Sequence, residues 1–165
     1  MFHCLRVHYK TVYFFILIDR VLAKKSYLIF ESLLFVGVVF QSTLTKNLQN
    51  LKYHETVIYD KVTLNEGKAF NKDTGKFTAT VEGVYAFSWT TLSSPGKYFL
   101  TEIVHNGNAM ALSQCDGRGQ SGWPSSSNQV NIKMKKGDQV WIRTYTTNGQ
   151  YAYGRNMCSF SGFKI

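Results

Sequence analysis

The chain has 165 residues, 44% hydrophobic, 15% aromatic and 18% charged, with a formal net charge of +9. That length fits one domain with a sizeable core; the composition excludes disorder for most of the chain, and the aromatic excess favours strands. Apart from Lys133, Lys135 and Lys136 the positive charge is scattered singly, which gives no basic stripe of the kind nucleic acid requires and fits either solubility or attraction to anionic surfaces such as acidic glycans and bacterial envelopes.

Residues 1–36 read as a leader distinct from the rest of the chain. Arg6, His8 and Lys10 open it, residues 12–18 form a short apolar run, Asp19-Arg20 interrupts, and Val21-Leu22-Ala23 offers the small or branched residues a signal peptidase wants. A second apolar stretch, residues 27–40, contains Glu31 and runs into the first strand. Neither reaches the ~18 residues of a spanning helix, so no stable membrane span is expected. Three readings stay open: a cleaved export signal, an uncleaved interfacial or anchoring segment, or an artefact of the gene model.

From Val36 onward the pattern is β. Val38, Phe40, Thr43 and Leu44 fall in the first strand, and Val57-Ile58-Tyr59 leads the next. Residues 76–80 come after a turn at Asp73-Thr74-Gly75, and residues 83–92 place Tyr85, Phe87 and Trp89 on one face. Residues 98–105 and 109–115 are joined by Asn106-Gly107, a hairpin signal because both central positions of a type I′ turn need φ > 0. Val130, Ile132 and Met134 alternate with Asn131, Lys133 and Lys135; the chain turns at Gly137-Asp138, and residues 140–146 return before a last strand over 158–165. No helical period holds over a long window and no repeat appears, so strands at 8–12-residue spacing predict a sandwich or jelly roll. Residues 98–104 and 140–145 are apolar or aromatic at both alternating sets of positions. This predicts burial of both faces, as association of copies would provide.

The chemistry of catalysis is missing from this pattern. His54 lies in a polar linker and His105 at a strand end, no Gly-x-Ser-x-Gly elbow is present, and the carboxylates mostly flank turns, so no enzyme is expected. Cys4, Cys115 and Cys158 have no metal-ligand spacing; Cys115 and Cys158, both at strand ends in residues 37–165, are expected to form a disulfide after export, with Cys4 left in the leader. No Asn-x-Ser/Thr sequon occurs. Two Gly/Ser/Asn-rich stretches, residues 115–128 and 148–156, read as exposed loops and carry the candidate ligand contacts Arg118, Trp123, Tyr151 and Arg155. Aromatic faces stack on sugar rings and arginines pair with carboxylates or phosphates. Packing of Trp123 as a loop anchor, with the tyrosines at a contact between copies, is the competing reading.

Between residues 59 and 89 runs the series Tyr59, Asn65, Phe70, Phe77, Gly83, Tyr85, Phe87 and Trp89. Its spacing resembles the aromatic signature of the complement component 1q globular-head (C1q domain) family. Tyr59 stands where that family usually has Phe, and Trp89 where it has Phe or Tyr. Residues 40–46, Lys136-Gly137-Asp138-x-Val140-Trp141 and Ser159-Phe160-Ser161-Gly162-Phe163 agree, so the resemblance covers residues 37–165. It implies an all-β, ten-stranded jelly-roll β-sandwich that forms a homotrimer, is secreted, and binds other molecules without catalysis. With no Gly-X-Y repeat ahead of the domain, it resembles the head-only members without a collagen stalk, which are commonly lectin-like. No cofactor is expected; calcium is compatible with the resemblance, but no ligands for it or any other metal can be named. The leading expectation is a secreted, trimeric, innate-immune pattern-recognition module for glycans or microbial surface molecules. A cytokine- or adipokine-like ligand of a cell receptor is the alternative, and a cross-linking matrix component the third.

Overall fold

The computed structural model describes Arg20, Lys24 and residues 37–165; the leader assigned to residues 1–36, with Cys4, otherwise lies outside the described residues. Residues 37–165 contain strands and turns and no helix. One five-stranded antiparallel sheet takes the order β3 (Lys61–Glu66), β1 (Val39–Thr43), β12 (Ser159–Lys164), β6 (Gly83–Leu92), β9 (Ser125–Met134). A second takes the order β4 (Phe70–Asn71), β5 (Lys76–Thr78), β10 (Gln139–Thr144), β7 (Tyr98–His105), β8 (Asn108–Asp116). A two-stranded ribbon of β2 (Leu48–Leu51) and β11 (Gln150–Ala152) accompanies them. The strand order, with β1 beside β12, is that of a jelly-roll sandwich.

The strands number twelve rather than the ten expected. The additional pair is β2 and β11, three or four residues each, which bond mainly to each other and lie in segments too short to show alternation. Residues 57–59 make no strand: Thr56 bridges Arg143 alone, and the pairing strand starts at Lys61. The expected loop over 115–128 becomes strand from Ser125, because β9 pairs with β6 along its whole length up to Ser125–Leu92.

Period two explains the core. On β6 the side chains of Tyr85, Phe87 and Trp89 face the second sheet and are all but fully buried, as are Phe40, Phe77, Phe99 and Phe160. Phe40 stacks on Phe70 at 4.6 Å, and Phe77 meets Phe87 edge-on at 5.1 Å, geometries that suit the ring quadrupole. Each such ring contributes about 1.5–3 kcal/mol by leaving water. The Trp89 indole N–H, which could not be buried unpaired, donates to the Thr101 hydroxyl at 3.0 Å. Gly162 is required for contact: a Cβ there would lie 2.5 Å from a Phe87 ring carbon.

The two-sided burial of β7 has a different cause from the one expected. Its second face is closed within one chain rather than by a partner. Leu100, Glu102 and Val104 are all buried. Arg143 Nε donates to Glu102 Oε1 at 2.6 Å, and His54 Nε2 lies 3.4 Å from the same oxygen. Met110 and Leu112 stay exposed on β8, and an apolar face is also left open on the other sheet. The register aligns Val39, Phe163 and Ala86 across β1, β12 and β6, with Leu64 and Val84 beside them; Phe163 remains 50% exposed. The other end of that face is hydroxyl-rich, and Ser88, Trp89, Thr90, Ser127, Asn128 and Gln129 line a shallow polar depression there.

Candidate recognition surface

Four connections gather at one end of the sandwich: residues 93–97, 117–124, 145–149 and 153–158. Backbone bonds tie the first to the second, Gly117 N to Lys97 O, Gly96 N to Gly117 O and Ser93 N to Pro124 O, and the fourth to the end of β6, Tyr153 N to Leu92 O. Gly117 approaches the Pro124 ring so closely that a Cβ would fall 2.8 Å from it, which pinches the base of the loop carrying Arg118 and Trp123.

The Arg155 loop is shaped by a second close approach. Gly154 lies against the Lys46 carbonyl group, leaving no room for a Cβ. Its amide donates to Asn47 Oδ1, and the next two amides donate to Thr45 O and Leu44 O. Arg155 and Asn156 consequently turn with positive φ, 53° and 62°. A backbone pinned on three sides thus projects Arg155 from a fixed point.

The structure divides the four candidate contacts. Trp123 is 54% exposed and meets Tyr153 edge-on at 4.7 Å, and the Arg155 guanidinium lies 5.9 Å from the centre of the same Tyr153 ring. Tyr153 is therefore the hub joining Trp123 to Arg155. The sequence offers two tyrosines in this loop: Tyr151 sits within the ribbon, its carbonyl accepting from the Ser93 hydroxyl, and makes no ring contact among the described residues, whereas Tyr153 lies just past the end of β11 and meets Trp123. Arg118 is committed elsewhere. Its Nε and Nη2 donate to Asp116 at 2.9 and 2.6 Å, its own amide donates to the same carboxylate, and its guanidinium lies over Tyr98 at 4.5 Å. Those bonds hold the Asp116 carboxyl down at about 2, so the pair is charge-neutral at any ordinary pH. Arg155 forms no ion pair among the described residues.

Cys115 and Cys158 are both buried and both free thiols in this structure, so the disulfide expected of them is not made here. Burial pushes Cys115 up to about 11 and Cys158 up to about 12, which keeps both protonated and able to donate. His54 and His105, which the sequence places in a polar linker and at a strand end, both have carboxylate partners. His54 faces Glu102 and stacks on Tyr53 at 3.8 Å, and His105 Nε2 lies 3.0 Å from Asp138 Oδ2. Neither pairing includes a nucleophile. Among the described residues no group of three His, Cys, Asp or Glu side chains is placed to hold a metal ion, and no helix is long and apolar enough to cross a membrane.

Comparison with known proteins agrees with this architecture. The family model of the C1q domain matches residues 39–165. Complement C1q tumor necrosis factor-related protein 3 of Mus musculus is 31% identical over 131 residues, covering 78% of this chain and 51% of the relative. Heavy metal-binding protein HIP of Mytilus edulis is 29% identical over 129 residues, covering 78% of this chain and 60% of the relative. The chain thus spans about half the length of the curated relatives it matches. Among solved structures, the globular domain of zebrafish complement 1qA superimposes with a TM-score of 0.65 at 20% identity, over 78% of this chain and 97% of that one. Murine APRIL at pH 5.0 superimposes with a TM-score of 0.61 at 10% identity, over 78% and 99%. These likenesses establish a shared fold.

Proposed function

Because the chain belongs to the C1q domain family, whose members are non-enzymatic recognition or signalling modules, we propose that it is a secreted, trimeric recognition module for glycans or microbial surface molecules. The observation that carries this reading is the cluster of Trp123, Tyr153 and Arg155 on loops anchored to a rigid sandwich. An indole more than half exposed is expensive to leave in water and offers a flat apolar face to a sugar ring. A guanidinium without a carboxylate partner supplies charge-assisted bonds to an acidic substituent beside it. Relative to the four contacts expected from sequence, Tyr153 joins Trp123 and Arg155 at the centre, while Arg118 and Tyr151 serve as supports.

Assembly supplies the avidity that one small patch lacks. The open apolar end of the first sheet, with Leu64, Val84 and Phe163, is the face a second copy would cover, and three-fold closure would repeat the Trp123 cluster three times. Residues 1–36 serve in this reading as the export leader. The test is retention of the secreted protein on immobilised lipopolysaccharide, peptidoglycan and mannan, with competition by soluble ligand. Retention on none of them would reject the reading.

The likeness to tumor necrosis factor-related relatives and to APRIL supports a second reading, a ligand that engages a cell receptor. Saturable binding to one cell type that disappears after protease treatment of the cells, with no retention on the microbial surfaces, would favour it.

A further inference from the structure

The two buried thiols are placed under the recognition loops, and each holds a carbonyl belonging to the cluster. Cys115 Sγ donates to Pro124 O at 2.9 Å, one residue beyond Trp123. Cys158 Sγ donates to Tyr153 O at 3.1 Å and accepts from Leu92 N at 3.2 Å. We propose that Cys115 and Cys158 are positioning residues for the Trp123–Tyr153 platform, and that their joint oxidation to a disulfide loosens it. The inference rests on the recognition reading above for its consequence, though not for its geometry.

The thiols lie against the same stretch of chain. Cys158 directly precedes Ser159, which pairs with Thr90, and so stands beside Thr91. Ser93 N donates to the same Pro124 carbonyl that the Cys115 thiol bonds, while Leu92, one residue before Ser93, bonds the Cys158 sulfur. The two sulfurs therefore flank one short stretch of β6 and its continuation.

Oxidation breaks two S–H bonds and forms one S–S bond. The two protons and two electrons pass to a low-molecular-weight disulfide such as oxidised glutathione, which leaves as two thiols. Both donors to the loops disappear in that step. Pro124 O keeps its bond from Ser93 N, whereas Tyr153 O loses its thiol partner. In the folded protein the thiols are buried and protonated, so exchange is slow and pairing occurs while the chain folds or when the loops open locally.

The experiment uses the full chain with Cys4→Ser, labelled with ¹⁵N-tryptophan and folded either in a glutathione redox buffer or in dithiothreitol. Peptide mapping scores the disulfide, the Trp123 indole N–H resonance reports the platform, and retention on lipopolysaccharide-coated surfaces reports binding. The oxidised form should carry a displaced Trp123 resonance and bind roughly two- to tenfold more weakly, the factor that one or two hydrogen bonds are worth. Cys115→Ser/Cys158→Ser keeps a donor at each position and cannot oxidise, so it should match the reduced form in both buffers. Cys158→Ser alone serves if the double variant does not fold. A paired disulfide with an unmoved Trp123 resonance overturns the proposal, and so does failure to pair in the oxidising buffer. A moved resonance in a protein that binds no surface supports the positioning role and rejects the recognition reading.

Discussion

The side-chain amide of Asn65 closes on both backbone groups of Phe70: its Nδ2 donates to the Phe70 carbonyl at 2.9 Å, and the Phe70 amide donates to its Oδ1 at 3.1 Å. The pair spans a turn in which Gly67 and Lys68 have positive φ, and it delivers the Phe70 ring to its stack on Phe40. Asn65→Ala removes both bonds and leaves two partly buried backbone groups without partners. It is expected to cost about 1–3 kcal/mol, read from the midpoint of urea unfolding at unchanged slope. A loss within about 0.5 kcal/mol would mean that water replaces the amide.

Close packing at Gly162 and open space at Gly122 make a matched pair. Gly162→Ala drives a methyl into Phe87 and Phe40 and should destabilise by about 1–3 kcal/mol. Gly122→Ala meets nothing within 4 Å and needs no positive φ, so it should leave stability within about 0.5 kcal/mol or raise it. Thermal unfolding of the two variants side by side checks both.

Acid stability should carry the mark of Asp138. Its carboxylate accepts from Asn106 Nδ2 and Lys135 N and faces His105, and these contacts hold it down at about 2 from the usual 3.8. A depressed carboxyl favours the folded state above the unfolded value, and that contribution drains away as pH falls through the folded one. The unfolding temperature should therefore decline from about pH 4 towards pH 2, and Asp138→Asn should flatten that part of the curve. An unchanged slope in the variant would assign the acid limb to other carboxylates.

Much of this fold is legible in sequence because its largest side chains sit on one face of strands with strict alternation. Tyr85, Phe87 and Trp89 announce β6, and Asn106-Gly107 announces the β7–β8 turn. Other elements are silent for physical reasons. β2 and β11 are too short to show a period, and the start of β9 is Ser-Ser-Ser-Asn-Gln because that end of an edge strand faces water. At the candidate site, the residue types Trp, Tyr and Arg are readable, whereas their grouping is not. Whether Arg118 is free or bound depends on Asp116 two residues away, and Tyr153 rather than Tyr151 is the partner because its ring, just past the end of β11, is the one that meets Trp123. The two-sided pattern of β7 does signal burial, and Leu100 and Val104 are buried within the single chain, where Arg143 and His54 pair with Glu102 between them.

The open end of the first sheet predicts self-association. Light scattering of the secreted protein should give about three times the chain mass across micromolar dilution. Phe163→Asp combined with Val84→Asp, both exposed in the single chain, should yield a folded monomer. A trimer that survives this double change would place the interface elsewhere.

Retention of single-site variants on microbial surfaces tests the recognition claim most directly. Trp123→Ala and Arg155→Ala should each weaken binding to lipopolysaccharide, peptidoglycan or mannan about tenfold or more, with unfolding temperatures unchanged because both side chains project from the surface. Arg118→Ala, which removes a guanidinium already neutralised by Asp116, should change binding far less. Equal loss in all three variants, or a loss of binding that tracks a loss of stability at Trp123, would contradict a site built on Trp123, Tyr153 and Arg155.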